Sequence, residues 1–257
     1  QRPLKFVKYL REFGWEPVVL TVTSDRFFMD ETLLREVPPD VEVIRIPNDS
    51  LNQDEIRELV NYYEILCNNR GLMGEFHHAI HSNPGEPIRV PLLPDNKITW
   101  AYKVLKTIHT LHDFTSTDLI FTTAGPYSSH VIGFFLKKQY GIPWVADFRD
   151  EWTNNCYHDI DKKNIIYKMH YTMENRIVHA ADKVITTSPL STDNYKSLFY
   201  LEDSKVVTIT NGYDEEDFHG LHVETKRNER FTIIHNGLLY MVRTPYTFID
   251  AVYNLIK

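Results

Sequence analysis

Apolar residues fall along the chain in two alternating rhythms, one of helical spacing and one of short continuous runs. Leu4, Phe6, Val7, Tyr9, Leu10 and Phe13 follow the first rhythm and stop at Gly14, which predicts an opening helix ended by a glycine. Pro17 to Val22 is a compact run rich in β-branched residues, the composition of a strand buried on both faces. Val41 to Ile46 repeats that type, Pro47 stops it, and a helix is expected from Asp54 to about Cys67. Gly71 to Pro94 has no clear period and reads as an irregular excursion with some local helix.

Beyond Asp95 the alternation runs without a break. Helices are expected from Ile98 to Leu111, Val131 to Gln139, Asn164 to Ala181 and Ser191 to Phe199. Strands are expected at Asp118 to Thr122, Pro143 to Phe148, Lys183 to Thr187 and Lys205 to Thr210. Buried-type strands separated by amphipathic helices predict an α/β fold, a Rossmann-like parallel sheet with helices on both faces. Because the chain enters on a helix, the first strand of that sheet is expected upstream of Gln1. This unit is assigned to residues 1–213, and the acidic, polar stretch 214–230 reads as a linker. Residues 231–257 offer one strand, Phe231 to His235, and one helix from about Thr244. A single βα unit cannot close a core, so this is expected to be the start of a second, truncated lobe.

Composition narrows the class. Hydrophobic residues at 42% and charged residues at 25% fit a soluble globular chain, and no low-complexity tract suggests disorder. Lys and Arg total 28 against 35 Asp and Glu, and the formal charge of −7 opposes a surface that tracks nucleic-acid phosphates. The two cysteines, Cys67 and Cys156, are far apart and lack metal-ligand spacing, which points to a reducing, cytoplasmic setting. No apolar run is long enough to span a membrane. Arg2, Lys5, Lys8 and Arg11 put four cations on the first helix; peripheral contact with the inner face of a membrane competes there with a plain solvated face.

Ligands of open parallel sheets bind just outside the carboxyl ends of the strands, so the residues after each apolar run carry the chemistry. Two such segments stand out. Thr123-Ala124-Gly125-Pro126-Tyr127-Ser128-Ser129-His130 joins a glycine that permits close backbone approach to a helix start with spare N–H groups. Asp147-Phe148-Arg149-Asp150-Glu151-Trp152 concentrates ionic and aromatic groups in one loop. Plainer roles compete at each position: His130 capping or packing in the first helical turn, the Asp-Phe-Arg-Asp run holding its own loop by ion pairs, and Trp152 filling core.

Other candidates are weaker. His77, His78 and His81 include two imidazoles at i and i+4, but no Glu follows His77 as a helical zinc motif requires. Asp159-Ile160-Asp161 has a spacing used to hold divalent cations, one that also arises by chance at this Asp content. The chain contains no Gly-x-x-x-x-Gly-Lys loop, no Gly-x-Ser-x-Gly elbow and no Gly-x-Gly-x-x-Gly turn, which weighs against P-loop, α/β-hydrolase and dinucleotide readings.

Four stretches taken in order resemble a known family. They are Gln1 to Leu10 continuing through Gly14-Trp15-Glu16-Pro17 to Thr21; Asp118-Leu119-Ile120-Phe121 with Ser128-Ser129-His130 and then Gly141 to Trp152; Ala180-Ala181-Asp182-Lys183 to Ser188 with Lys205 to Asp214; and His235-Asn236-Gly237-Leu238-Leu239-Tyr240 with Arg243. Together they resemble the family 4-like glycosyltransferases of the GT-B fold. The resemblance implies a transferase that moves a sugar from a nucleotide-sugar donor to a glycan or lipid-linked acceptor hydroxyl, in surface polysaccharide biosynthesis, with retention of configuration. It implies an amino-terminal lobe that holds the acceptor, a carboxyl-terminal lobe that holds the donor, and no metal cofactor, since cations and helix N-termini neutralise the leaving diphosphate.

Carried onto this chain, the resemblance makes Arg149 and Asp150 the catalytic candidates. Gly125, Ser128, His130 and Trp152 become acceptor-binding candidates, and Gly237 and Arg243 donor-binding candidates. Arg149 stands where many members have a His; a guanidinium cannot serve as a base but can bind charge or orient an acceptor. Leu238 replaces a common Arg, and the paired-Glu donor segment is not within the sequence, so these 257 residues alone are expected to be inactive. The alternatives are a nucleotide-sugar epimerase of the same fold and a non-catalytic carbohydrate-binding domain.

Overall fold

A computed structural model describes residues 2–23, 31–80, 90–155, 161–220, 228–239 and 243–257. The first compact unit runs to Gly212, and the second begins at Tyr213. In the first unit, helix α1 (Arg2–Tyr9) passes through a 3₁₀ turn to Gly14, which takes the left-handed conformation at φ 79°. Strand β1 (Val18–Thr23) and strand β2 (Glu42–Pro47) pair in parallel, with the short helix α2 (Glu31–Leu34) between them in the chain. Helix α3 (Gln53–Cys67) starts at a reciprocal cap. The Asn52 side chain accepts from the Asp54 and Glu55 backbones, and Glu55 accepts from the Asn52 N–H at 2.8 Å.

Helix α4 (Arg70–Ile80) occupies the first half of the stretch read as irregular. Leu72, Met73 and Phe76 give it a buried face, which Gly71 and Gly74 obscure in the sequence because glycine is a poor helix former. The remainder of the unit follows the expected alternation: α5 (Ile98–Leu111), β3 (Ile120–Thr123), α6 (Ser128–Tyr140), β4 (Trp144–Phe148), α7 (Ile165–Ala180), β5 (Lys183–Thr186), α8 (Pro189–Phe199) and β6 (Val206–Thr208). β3, β4, β5 and β6 are neighbours in that order and every pair is parallel, as helical crossovers require. β1 and β2 form a separate two-stranded sheet among the described residues, and α5 packs against both β2 and α6.

The core lies between the four-stranded sheet and its helices. Trp144, Ala146 and Phe148 of β4 are fully buried among residues that include Val131 and Ile132 of α6 and Met169, Met173 and Ile177 of α7. α6 approaches β4 closely at Gly133, where a β-carbon would stand 2.4 Å from the Trp144 indole nitrogen. The indole N–H donates to the Thr122 hydroxyl at 2.8 Å, so the largest buried side chain of the sheet is also hydrogen-bonded.

The second unit contains a 3₁₀ turn, Glu215–Phe218, within the stretch assigned as linker, and helix α9 (Tyr246–Ile256). The strand expected at Phe231 to His235 does not form; these residues are irregular and Phe231 is 94% exposed. A strand gains its stability from cross-strand pairs, and no partner strand is present among the described residues.

Candidate functional site

Register brings the strand ends into one row. Thr123 stands opposite Asp147, Phe148 opposite Thr186, and Thr186 opposite Thr208. The loops leaving this row contain both segments singled out in the sequence, and they meet. Arg149 reaches back across the edge, its Nε donating to the Ala124 carbonyl at 2.7 Å and its Nη2 to the Gly125 carbonyl at 3.3 Å. Gly125 has φ 82°, and a β-carbon there would come 2.7 Å from Nη2, so only glycine leaves room for the guanidinium. From the other side, the Thr187 hydroxyl donates to the Arg149 carbonyl at 2.9 Å, which fixes the backbone that carries the cation. Arg149 has no carboxylate partner among the described residues, and the neighbouring Asp150 is exposed. The arrangement is a partly exposed cation held by neutral carbonyls, with donors left for an incoming anion or hydroxyl.

A second ionic centre lies in the same row. Arg2, at the start of α1, donates from Nε and Nη2 to the two carboxylate oxygens of the fully buried Asp147 at 3.1 and 3.0 Å. Its remaining donors reach the Ile209 and Thr210 carbonyls at 3.0 Å each and the Asn211 side chain at 3.3 Å. The Thr123 hydroxyl donates to Asp147 at 2.8 Å. One guanidinium therefore ties α1 to the ends of β4 and β6, in the planar two-point geometry that suits arginine and carboxylate.

The walls behind this row are largely buried and mostly hydrogen-bonded within themselves; the buried Nε2 of His130 is the exception there. Tyr127 stacks on Trp152, ring centroids 5.0 Å apart, and donates to the Glu151 carbonyl at 2.8 Å. The Trp152 indole donates to His170 Nδ1 at 2.9 Å. Asp95 holds the start of α6, accepting from the Ser128 hydroxyl at 2.7 Å and the Ser128 backbone N–H at 3.1 Å. Asn194 donates to Glu151 at 2.9 Å. Beneath the loop, Glu174 of α7 is fully buried. One of its oxygens accepts from the Thr153 N–H at 2.9 Å and hydroxyl at 2.5 Å, the other from the Tyr195 hydroxyl at 2.7 Å. Burial pushes its carboxyl up to about 7 against the pull of these hydrogen bonds.

Of the acceptor candidates, Gly125 lies on the exposed rim beside the catalytic candidates Arg149 and Asp150. Ser128, His130 and Trp152 are buried instead, and in this structure they brace the walls. Ser128 is committed to Asp95, and Trp152 to Tyr127 and His170. His130 lies against Phe148 with its Nδ1 2.8 Å from the Thr122 hydroxyl, and burial pushes its pKa down to about 3, so the ring is neutral. The donor candidates Gly237 and Arg243 are exposed residues of the second unit.

Arg2 pairs with Asp147, Lys5 with Glu36, and Arg11, in the 3₁₀ turn after α1, with Glu16 and Asp40. His77 pairs with Glu64 at 2.8 Å, while His81, Asp159 and Ile160 lie outside the described residues. Cys67 is a buried free thiol and Cys156 lies outside the described residues. No helix among the described residues is long and apolar enough to cross a membrane.

Sequence reasoning did not single out Asp95 or Glu174, and it named Arg2 only as a cation of the first helix. Each acts at this edge through a partner at least 21 positions away, a relation that no local pattern encodes.

The strand-end row, its parallel order and its helical crossovers fall within a longer match: the model of Glycosyltransferase Family 4 covers residues 4–217. The chain belongs to glycosyltransferase family 4. No curated protein matches it. The helix-flanked parallel sheets are the Rossmann-like arrangement of a GT-B amino-terminal region. As a family 4 glycosyltransferase, the protein acts on a sugar donor and an acceptor. The rim carrying Arg149 and Gly125 lies inside the matched span, whereas Arg2 precedes it and Gly237 and Arg243 follow it.

Proposed function

We propose that this family 4 glycosyltransferase moves a sugar from a nucleotide-sugar donor to a hydroxyl of a glycan or lipid-linked acceptor, in surface polysaccharide biosynthesis. The observation that supports the reading is the Arg149 cation, held over Gly125 by carbonyls and left without a carboxylate partner among the described residues. A guanidinium so held is pre-positioned for negative charge, and it sits where open parallel sheets receive ligands. Its role is to seat an anionic group of the substrate and orient the reacting hydroxyl. Asp150, exposed beside it, is the second catalytic candidate and orients the acceptor hydroxyl, whose proton passes to the departing phosphate.

Gly125 forms the acceptor side of the rim, and Ser128, His130 and Trp152 support it from within. Gly237 and Arg243 are the donor-side residues, with Arg243 assigned to the leaving diphosphate. The departing phosphate assists the incoming hydroxyl, giving retention without a protein nucleophile or a metal. Nucleotide sugars are made in the cytoplasm, and the reaction is assigned there, at the inner face of the membrane when the acceptor is lipid-linked.

Product analysis tests the reading. The full-length protein is incubated with UDP-, GDP- and CDP-linked sugars, with and without glycan acceptors, and the products are resolved by mass spectrometry. A glycosylated acceptor is the expected product. A changed nucleotide sugar formed without acceptor would identify an epimerase, and binding without turnover a carbohydrate-binding domain.

A further inference from the structure

Glu174 is a fully buried acidic side chain near the rim that the proposed chemistry leaves unused and that, unlike Asp147, has no cation bound to it among the described residues; it is wired to the segment that bears Arg149. It projects from α7 and receives three donors. Two come from Thr153, four residues beyond Arg149, and one from Tyr195 of α8. Trp152, next to Thr153, stacks on Tyr127, and Tyr127 donates to the Glu151 carbonyl. Tyr195 lies against Phe148, ring centroids 5.0 Å apart, at the residue before Arg149. Both ends of the 148–153 segment therefore lead to the same carboxyl group, one through Thr153 and one through Tyr195.

We propose that Glu174 is the positioning residue of this site: by clasping Thr153 and Tyr195 it sets the Arg149–Thr153 segment against the Gly125–Tyr127 turn and so fixes where the Arg149 cation stands. The proposal rests on the reading that Arg149 seats the substrate's anionic group. Among the described residues, the titratable groups that act on Glu174 are Tyr195 from α8, Tyr127 from the turn before α6, and Tyr171 from α7 itself. No Lys or Arg pairs with it among the described residues. The carboxyl therefore changes charge near neutral pH, and the clasp changes with it. Ionised, it is a buried carboxylate with no cation beside it among the described residues, and opening of the loop, which returns it to water, is favoured. Protonated, it stays buried at little cost while its carbonyl oxygen still accepts from the Thr153 N–H, and the clasp is tightest.

The test is amide hydrogen exchange across residues 149–155 in the intact chain at pH 6 and pH 8, corrected for intrinsic rates, in wild type, Glu174→Gln and Thr153→Val. In wild type, protection of the Thr153 amide should fall severalfold from pH 6 to pH 8. In Glu174→Gln it should be lower than in wild type at pH 6 and independent of pH, with the core strands unchanged. A second readout is pyrophosphate affinity by calorimetry, where the ratio of wild type to Glu174→Gln should shrink severalfold between the same pH values. Equal protection and equal pH response in wild type and Glu174→Gln would overturn the proposal. If Glu174→Gln does not fold, Thr153→Val and Tyr195→Phe decide the matter, because each removes one donor and leaves the carboxyl in place. Absence of pyrophosphate binding in wild type would sink the Arg149 reading alone, since exchange still reports whether Glu174 holds the loop.

Discussion

The Arg149 guanidinium covers the α-carbon of Gly125 so closely that a β-carbon there would come within 2.7 Å of Nη2. The two residues lie on different loops, and the parallel pairing of β3 with β4 carries both to the same edge.

Gly125→Ala should therefore act twice. It forces a side-chain-bearing residue to φ 82°, which costs about 1 to 3 kcal/mol, and it pushes Arg149 off its two carbonyls. Thermal melting should show the loss of stability. Sugar transfer should fall at least tenfold, more than partial unfolding explains at a temperature where both proteins are folded.

Arg2→Met should be among the most damaging single changes on α1. Asp147 is fully buried, and removing its one cationic partner among the described residues leaves a buried charge uncompensated, which typically costs about 3 to 5 kcal/mol. Urea denaturation measures this directly. Arg57→Met, which breaks an exposed pair with Asp54 on α3, should cost less than about 1 kcal/mol.

Glu174 sets a pH dependence of stability with a definite sign. Its carboxyl is raised from 4.5 to about 7 by burial, so the native state holds the extra proton in that window. Stability contributed by this group is full below about pH 4.5 and declines until about pH 7, a swing of roughly 3 kcal/mol. Melting temperatures from pH 5 to 8 should fall less in Glu174→Gln than in wild type.

His130 acts in the opposite direction. Burial lowers it from 6.5 to about 3, so its favourable contribution is complete above pH 6.5 and is lost as the pH falls toward 3. His130→Phe should lose stability at pH 7, through the Thr122 hydrogen bond, and regain ground on wild type by roughly 3 kcal/mol at pH 4.5. A variant whose deficit is the same at both pH values would show that the ring is not buried as described.

How much of this was legible in the sequence follows from the range of the interactions. The apolar runs of β3 to β6 and the helical spacing of α5 to α8 are local, and they placed the strand ends and the loops beyond them. Gly125 and Arg149 could be picked out because each follows such a run. Whether a side chain at that edge faces the rim or the core was not legible: Ser128, His130 and Trp152 lie in the same two segments, and their partners Asp95, Thr122 and His170 turn them inward. The Arg2–Asp147 pair spans 145 positions and leaves no periodic trace. The β-branched run at Phe231 to Ile234 shows the converse, because strand propensity without a neighbouring strand yields no ladder.

The most direct measurement is titration of pyrophosphate, as a minimal anionic probe, onto wild type, Arg149→Ala and Lys168→Ala by calorimetry. The Arg149 account predicts that Arg149→Ala weakens binding at least tenfold, about 1.4 kcal/mol, while Lys168→Ala, whose cation already pairs with Glu75, binds like wild type. Equal affinity in wild type and Arg149→Ala would contradict it.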